Sequence, residues 1–168
     1  GERFRRAGYK IPKPLIEVDG KPIISHVIDM FPGEKNFIFI CNTEHLENTN
    51  MEKILKRYSI EGKIVSINPH KKGPVFAVTQ ALDYINDEES AIINYCDFSC
   101  YWDYKNYKSW IKDKSIDGSI PAYKGFHPHS LGKTNYAYMR ENNNKMIEIK
   151  EKEPYTNDRI NEYASSGT

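Results

Sequence analysis

The feature that most constrains this chain is the alternation of short apolar runs with helically spaced segments between residues 15 and 95. Three runs stand out: Asn-Phe-Ile-Phe-Ile-Cys at 36–41, Lys-Ile-Val-Ser-Ile at 63–67 and Ala-Ile-Ile-Asn-Tyr at 91–95. Each is short enough for a strand, and the first is apolar almost without interruption, which suits a strand covered on both faces of a parallel sheet. Between and before them the spacing changes. Ile24, Val27, Ile28 and Phe31 stand at i, i+3, i+4 and i+7 and predict one buried helical face. Further helices are predicted over 51–58 and 75–85. Strand and helix in series imply right-handed crossovers and a doubly wound sheet. In such sheets ligands sit beyond the carboxyl ends of the strands, which directs attention to Asn42 and above all to Asp97.

Punctuation supports the same outline. Residues 15–18 read as a short strand, Asp19-Gly20 as a turn and Pro22 as the first residue of a helix that ends at Pro32-Gly33. Past Asp97 the pattern changes to a helix at 104–113, then extended segments at 118–123, 136–140 and 146–151, with Asn142-Asn143-Asn144 as a hairpin turn. The expected fold class is therefore α/β, a three-layer, doubly wound and mostly parallel mixed sheet of Rossmann-like type. At 168 residues one domain over 1–168 is the expectation.

Charge narrows the partners. With 24 basic and 23 acidic residues interspersed, the formal net charge is +1, so no global field favours nucleic acid or an anionic membrane. A phosphate ligand has to be held by local groups. Cys41, Cys96 and Cys100 form an odd set in apolar or aromatic surroundings; they read as small buried residues of a reducing cytoplasm rather than a disulfide framework. The longest apolar runs fall far short of the roughly 20 residues that span a bilayer. The opening residues show no signal peptide.

Several short constellations carry chemical meaning. Gly1-Glu2-Arg3-Phe4, Gly8-Tyr9 and Pro12-Lys13-Pro14-Leu15 combine glycines, which admit close backbone approach to phosphates, with fixed and flexible positive charge. Lys72-Gly73-Pro74-Val75 reads as a helix start with amides directed at an incoming group; Lys71 and Lys72 are secondary phosphate candidates beside it. Ile92-Ile93-Asn94-Tyr95-Cys96-Asp97-Phe98 is an apolar run closed by one carboxylate, a suitable ligand for Mg²⁺, which takes few protein oxygens. Taken singly, these remain compatible with ordinary loops, a helix start and a capping aspartate. His127 and His129 stand at i, i+2 without a third ligand at zinc spacing, so the loop from Gly125 through Lys133-Thr134-Asn135-Tyr136 reads better as a loop that contacts a small-molecule ligand.

At this spacing, and followed by Leu15-Ile16-x-Val18-x-Gly20-Lys21-Pro22, the opening segment resembles the signature region of the sugar-phosphate nucleotidylyltransferases. In that family the loop reads Gly-x-Gly-x-Arg, so the resemblance makes Gly1 the second glycine, Arg3 the arginine that contacts the triphosphate, and Lys13 the lysine of the Pro-Lys-Pro. It implies a start after the family's first strand and first glycine, with Glu2 where a small hydroxyl residue is common. Gly73 and Pro74 then correspond to the glycine-led helix beside the nucleotide base, and Asp97 to the metal aspartate. Glu148-Ile149-Lys150-Glu151-Lys152-Glu153-Pro154 resembles the acceptor-binding Glu-Lys-Pro motif with Glu153 inserted; Lys152 would take the acceptor phosphate and Glu151 its polar body. Ala164-Ser165-Ser166-Gly167-Thr168 resembles the Asn-Ala-Gly segment, which makes Ser166 and Gly167 acceptor-side candidates. A second metal aspartate is expected beyond Thr168.

The resemblance implies a cytoplasmic, Mg²⁺-dependent enzyme that transfers an NMP unit from an NTP to a phosphorylated small molecule and releases pyrophosphate. The Tyr95-Cys96-Asp97-Phe98 strand end and the Gly125-Phe126-His127-Pro128-His129 loop look most similar to those of bacterial capsule or surface-polysaccharide members, some of them cytidylyltransferases. CTP is the favoured nucleotide. A sugar phosphate, phosphocholine and phosphoglutamine stay open as acceptors, as does a homo-oligomer. Two rivals remain: a nucleotide-sugar glycosyltransferase, which would usually show Asp-x-Asp where this chain has Asp97-Phe98-Ser99, and a nucleotide-sensing domain without catalysis, which would be expected to lose charge at Arg3, Lys13 or Asp97.

Overall fold

The structure, a computed structural model, describes all residues except 1, 115, 128–130, 133 and 168, and the backbone alone of Glu2, Arg3 and Lys114. It is α/β and divides into two compact units, Gly1–Ile92 and Ile93–Thr168.

In the first unit helix α1 (Glu2–Arg6) leads into a 3-10 turn at Lys13–Leu15, then the hairpin of β1 (Glu17–Val18) and β2 (Lys21–Pro22). The expected strand at 15–18 is thus confined to its second half, because the Pro-Lys-Pro run starts a tight turn and Pro14 has no N–H to give a ladder. Asp19 and Gly20 both have positive φ, 51° and 74°, the backbone of a two-residue hairpin turn. Pro22 caps helix α2 (Ile23–Ile28) from outside with an extended backbone instead of occupying its first position. The helix also stops before the predicted end. Met30 and Phe31 complete its buried face from a tightened turn, their N–H groups donating to the carbonyls of Val27 and Ile28. Pro32 disfavours helical backbone at the residue before it, which accounts for the early stop.

Strands β3 (Ile38–Asn42) and β4 (Lys63–Ile67) pair in parallel, Ile38 opposite Lys63 through Asn42 opposite Ile67. Between them run α3 (Thr43–Asn48) and α4 (Met51–Tyr58), the latter burying Met51 and Leu55. The first of these helices has no apolar repeat in the sequence; its signal is the cap. The Asn42 side-chain oxygen accepts the Glu44 N–H at 2.8 Å, so the residue expected at a ligand-facing strand end is a helix cap. Helix α5 (Pro74–Thr79) ends well before residue 85, and a 3-10 turn follows at Leu82–Tyr84. The Thr79 hydroxyl donates to the Phe76 carbonyl and the main chain tightens to i−3 bonds at Gln80 and Ala81.

The run at 91–95 forms no ladder among the described residues, contrary to expectation, and Ile92, Ile93 and Tyr95 are exposed. Its polar groups are used locally. Asn94 Nδ2 donates to the carbonyls of Tyr95 and Phe98, and the Tyr95 N–H donates to Gly167 O at 3.1 Å.

The second unit holds α6 (Tyr104–Lys114), whose first turn is capped by Asp103 through the Asn106 N–H at 3.0 Å. A four-stranded antiparallel sheet follows in the order β5 (Ala122–Tyr123), β8 (Tyr163–Ser165), β6 (Ala137–Asn142), β7 (Lys145–Glu151). The β6–β7 turn has φ of 53° and 61° at Asn143 and Asn144, as the Asn run predicted. Tyr138, 1% exposed, and Met139 and Ala164 form the core of this sheet.

Candidate active site

In the first unit Lys13 lies against α1. The Lys13 ammonium lies 4.9 Å from the centroid of the Phe4 ring, so the 3-10 turn carries Lys13 onto the helix that holds Arg3 in its backbone. Gly1 and the side chain of Arg3 lie outside the described residues. Gly73 has φ 89° and ψ 172°, a conformation open essentially to glycine alone, and a Cβ added there would meet nothing within 4 Å. The glycine is therefore required by backbone geometry, not by crowding. Pro74 starts the six-residue α5, and Lys72 is held beside it, its ammonium 4.4 Å from the Phe76 ring, which is also packed edge-on by His70. A hollow of about 440 Å³ in this unit, lined by Tyr9, Ile11, Leu15, Ile16, Glu17, Asn50 and Ile54, contains none of the predicted site residues.

In the second unit the fold joins two candidates far apart in sequence. Asp97 sits in the turn 95–98, closed by the Phe98 N–H donating to Tyr95 O. The same turn is bonded to Gly167 through the Tyr95 N–H. Gly167 has φ 84°, and a Cβ there would stand 3.1 Å from Phe98 Cγ and 3.2 Å from Tyr95 Cδ2. Here both conformation and close approach demand glycine. Ser166 is 5% exposed; its N–H donates to Pro121 O at 3.0 Å, while its buried Oγ has no hydrogen-bond partner among the described residues. A buried hydroxyl without a partner is unusual in a native fold and suits a group that completes its bonding with a ligand.

The remaining acceptor candidates stand where β7 ends. Glu151 Oε1 and Lys152 Nζ are 3.1 Å apart and pair with each other at the surface. Lys152 departs from the strand with φ 59°, a left-handed conformation uncommon for a lysine. It is held there from the far side of the hairpin: its N–H donates to Tyr136 O at 3.1 Å and the Thr134 hydroxyl donates to its carbonyl. Tyr136 in turn packs with Tyr123 and His127, rings 5.5 to 6.1 Å apart. Burial pushes the Tyr123 hydroxyl up to about 12. His129 and Lys133 of the same loop lie outside the described residues.

Glu162 is a residue that motif reading missed. Its carboxylate accepts from the N–H groups of Tyr155 and Thr156 and from the Thr156 hydroxyl, at 2.7 to 2.8 Å, and so closes the loop that follows the Glu-Lys segment. Burial acts to raise its titration, but these bonds and Arg140 outweigh it and hold the carboxyl below the ordinary range. No spacing rule marks a glutamate that works from eight residues beyond a proline. Arg140 and Lys150 both lie against the Tyr155 ring, at 4.2 and 4.8 Å from its centroid.

The candidate metal ligand is Asp97. Among the described residues no group of three or more histidine, cysteine or acidic side chains could enclose an ion. A single carboxylate fits a hard cation shared with substrate phosphates better than it fits zinc. Cys41 alone of the cysteines is buried; Cys96 and Cys100 are exposed thiols, contrary to expectation, and none of the three is in a disulfide.

The family described as nucleotidyl transferase matches residues 1–168. The chain belongs to the nucleotidyl transferase family. The bifunctional protein GlmU of Methanocaldococcus jannaschii is 34% identical over 89 residues, a stretch that spans 52% of this chain and 21% of that protein. Among solved structures, the nucleoside-diphosphate-sugar pyrophosphorylase of Vibrio cholerae RC9 superposes with a TM-score of 0.63 at 19% identity, over 98% of this chain and 69% of that one. A Bacillus anthracis protein described as a glucose-1-phosphate thymidylyltransferase, crystallised with a sucrose, gives 0.70 at 16% identity over 94% and 61%. At these identities the structures establish the fold, which is the Rossmann-like α/β fold expected from the strand and helix alternation. No described helix of this nucleotidyl transferase is long and apolar enough to cross a membrane.

Proposed function

We propose that this chain supplies catalytic groups for the transfer of an NMP unit from an NTP to a sugar phosphate. An acceptor phosphate oxygen attacks the α-phosphorus in line, a new phosphoanhydride forms, and the bond to pyrophosphate breaks. The reaction needs no covalent protein nucleophile. It needs positioning and neutralisation of a crowded phosphate cluster. In this reading Gly1, Gly73 and Pro74 approach the nucleotide, Arg3 takes the leaving pyrophosphate and Lys13 the α-phosphate charge. Asp97 would hold Mg²⁺, which when bound supplies charge neutralisation on the phosphate oxygens. Glu151, Lys152, Ser166 and Gly167 form the acceptor side, and the reading treats residues 1–168 as parts of one catalytic domain.

The observation that carries this reading is the bond between the Asp97 turn and Gly167, beside the unpartnered hydroxyl of Ser166. It joins the turn that carries Asp97 to the strand end that carries Ser166 and Gly167, which supports the reading. A sugar 1-phosphate is the acceptor favoured by the names of the similar proteins. CTP as nucleotide, phosphocholine or phosphoglutamine as acceptor, a role in capsule or surface-polysaccharide precursor synthesis and a cytoplasmic location are the finer parts of the proposal.

The test is pyrophosphate release with each of the four NTPs, Mg²⁺ and a panel of sugar 1-phosphates, phosphocholine and phosphoglutamine. Pyrophosphate formed only with one NTP and one acceptor class supports the reading and names the substrates. Nucleoside diphosphate released from a nucleotide sugar would establish the glycosyltransferase alternative instead. NTP binding by thermal shift without any turnover would mark a sensing domain.

A further inference from the structure

Four described residues other than glycine have positive φ: Asp19, Asn143, Asn144 and Lys152. The first three are of the residue types that tolerate a left-handed backbone, and they form the β1–β2 and β6–β7 turns. Lys152, with φ 59°, is neither such a type nor part of a hairpin turn. Glycine or asparagine would turn the chain there at lower cost, and what lysine adds is an ammonium. Its pair with Glu151 is exposed, a kind of contact worth too little to account for the conformation. An uncommon backbone of this kind persists only where its surroundings hold it, and such places cluster at ligand sites.

The holding groups come from one segment. The Lys152 N–H donates to Tyr136 O at 3.1 Å, and the Lys152 carbonyl accepts the Thr134 hydroxyl. Both peptide groups that flank the Lys152 Cα are thus bonded, which fixes its two soft dihedrals and with them the direction of the Cα–Cβ bond. The Tyr136 bond is main chain to main chain and continues the β6–β7 ladder, where Ala137 faces Glu151. The Thr134 bond is made by a side chain, so it depends on residue type. Its segment is anchored in turn: Arg159 Nη1 donates to Gly132 O at 2.7 Å, the Gly125 N–H donates to Ile160 O at 2.8 Å, and the Tyr136 ring packs edge-on against Tyr123 and His127.

We infer that Thr134 is a positioning residue for Lys152: its hydroxyl holds the Lys152 main chain in the left-handed conformation from which the ammonium meets the phosphate of the acceptor. Thr134 then completes the acceptor side proposed above, on which this inference rests. It touches no substrate and acts only through Lys152.

Inorganic phosphate is the probe, titrated into the isotope-labelled chain and followed at residue 152 by nuclear magnetic resonance. Phosphate should shift the Lys152 signals to saturation, and Lys152→Gln should abolish those shifts. Thr134→Val removes the donor; it should move the Lys152 Cα signal toward extended backbone and weaken phosphate binding about fivefold, the effect of losing one hydrogen bond. Thr134→Ser should restore both. In pyrophosphate release the valine variant should raise the KM of the sugar 1-phosphate while kcat and the KM of the NTP hold. Its effect on melting temperature should be the same with Lys152 or Lys152→Gln, whereas its effect on the acceptor should need the ammonium, a coupling that a merely structural role would not produce. Phosphate binding at Lys152 that Thr134→Val leaves unchanged overturns the inference, as does a serine that fails to restore it or an acceptor effect that persists without the ammonium. Phosphate that shifts nothing at Lys152 overturns it together with the acceptor role. The expected responses in a chain that releases no pyrophosphate uphold it and sink only the transfer reaction.

Discussion

Lys13 is the residue on which the proposed chemistry depends most directly. Its ammonium rests on the Phe4 ring, a contact that orients the side chain without neutralising it. Lys13→Ala should lower the turnover of pyrophosphate release by about two orders of magnitude, the effect of losing one charged transition-state contact worth roughly 3 kcal/mol. An unchanged circular dichroism spectrum would show that the loss is chemical. The two site glycines should respond differently to alanine. At Gly73 there is room for a methyl group, so the cost is backbone strain alone, about 1 to 3 kcal/mol. At Gly167 the same strain is joined by crowding against Phe98 and Tyr95, and the melting temperature should fall further than for Gly73→Ala. Both glycines were visible in the sequence as parts of motifs. What the sequence did not reveal was why each must be glycine: at Gly73 the reason is the backbone conformation alone, and at Gly167 it includes crowding by residues some seventy positions away.

The loop after β7 shows how an element is held by groups outside any motif. Glu162 grips the main chain of Tyr155 and Thr156, and Thr134 and Tyr136 grip Lys152 from the opposite strand. Because the folded-state carboxyl of Glu162 titrates below its ordinary value of 4.5, its contribution to stability is complete above that pH and is lost as pH falls through the lower folded value. Thermal melts of wild type and Glu162→Gln should therefore differ most near neutral pH and converge in acid. A constant difference at all pH values would rule out the carboxylate as the anchor. Elements with a strong local signal were legible from sequence: β4 and α4 have the predicted bounds, and the Asn143-Asn144 turn has the predicted backbone. Helix α3 was not, since Thr43–Asn48 has no apolar face and is started by a cap. The run at 91–95 departs from its expected strand for the opposite reason. Apolar alternation makes a strand only where a neighbour offers a ladder, and here the backbone of Tyr95 is bonded to Gly167 instead.

At the scale of the molecule, the boundary at Ile92 and Ile93 follows an exposed stretch, residues 86–91, that lies outside helices and strands. A glutamate-specific protease should cut first after Glu88 or Glu89 and leave two fragments, read by mass spectrometry of a limited digest; first cuts in 145–153, where glutamates are also exposed, would contradict the division. The α/β class was readable because it depends on periodicities inside each segment. The assembly of the site was not, because it depends on contacts between segments. The bond from Tyr95 to Gly167 ties one end of the second unit to the other. Contacts between residues so distant along the chain form only after the intervening loop-closure entropy has been overcome. The Asp97 turn should therefore be among the last parts of that unit to acquire its native geometry during folding, and the first to lose protection from hydrogen exchange when the strand end at Ser166 frays.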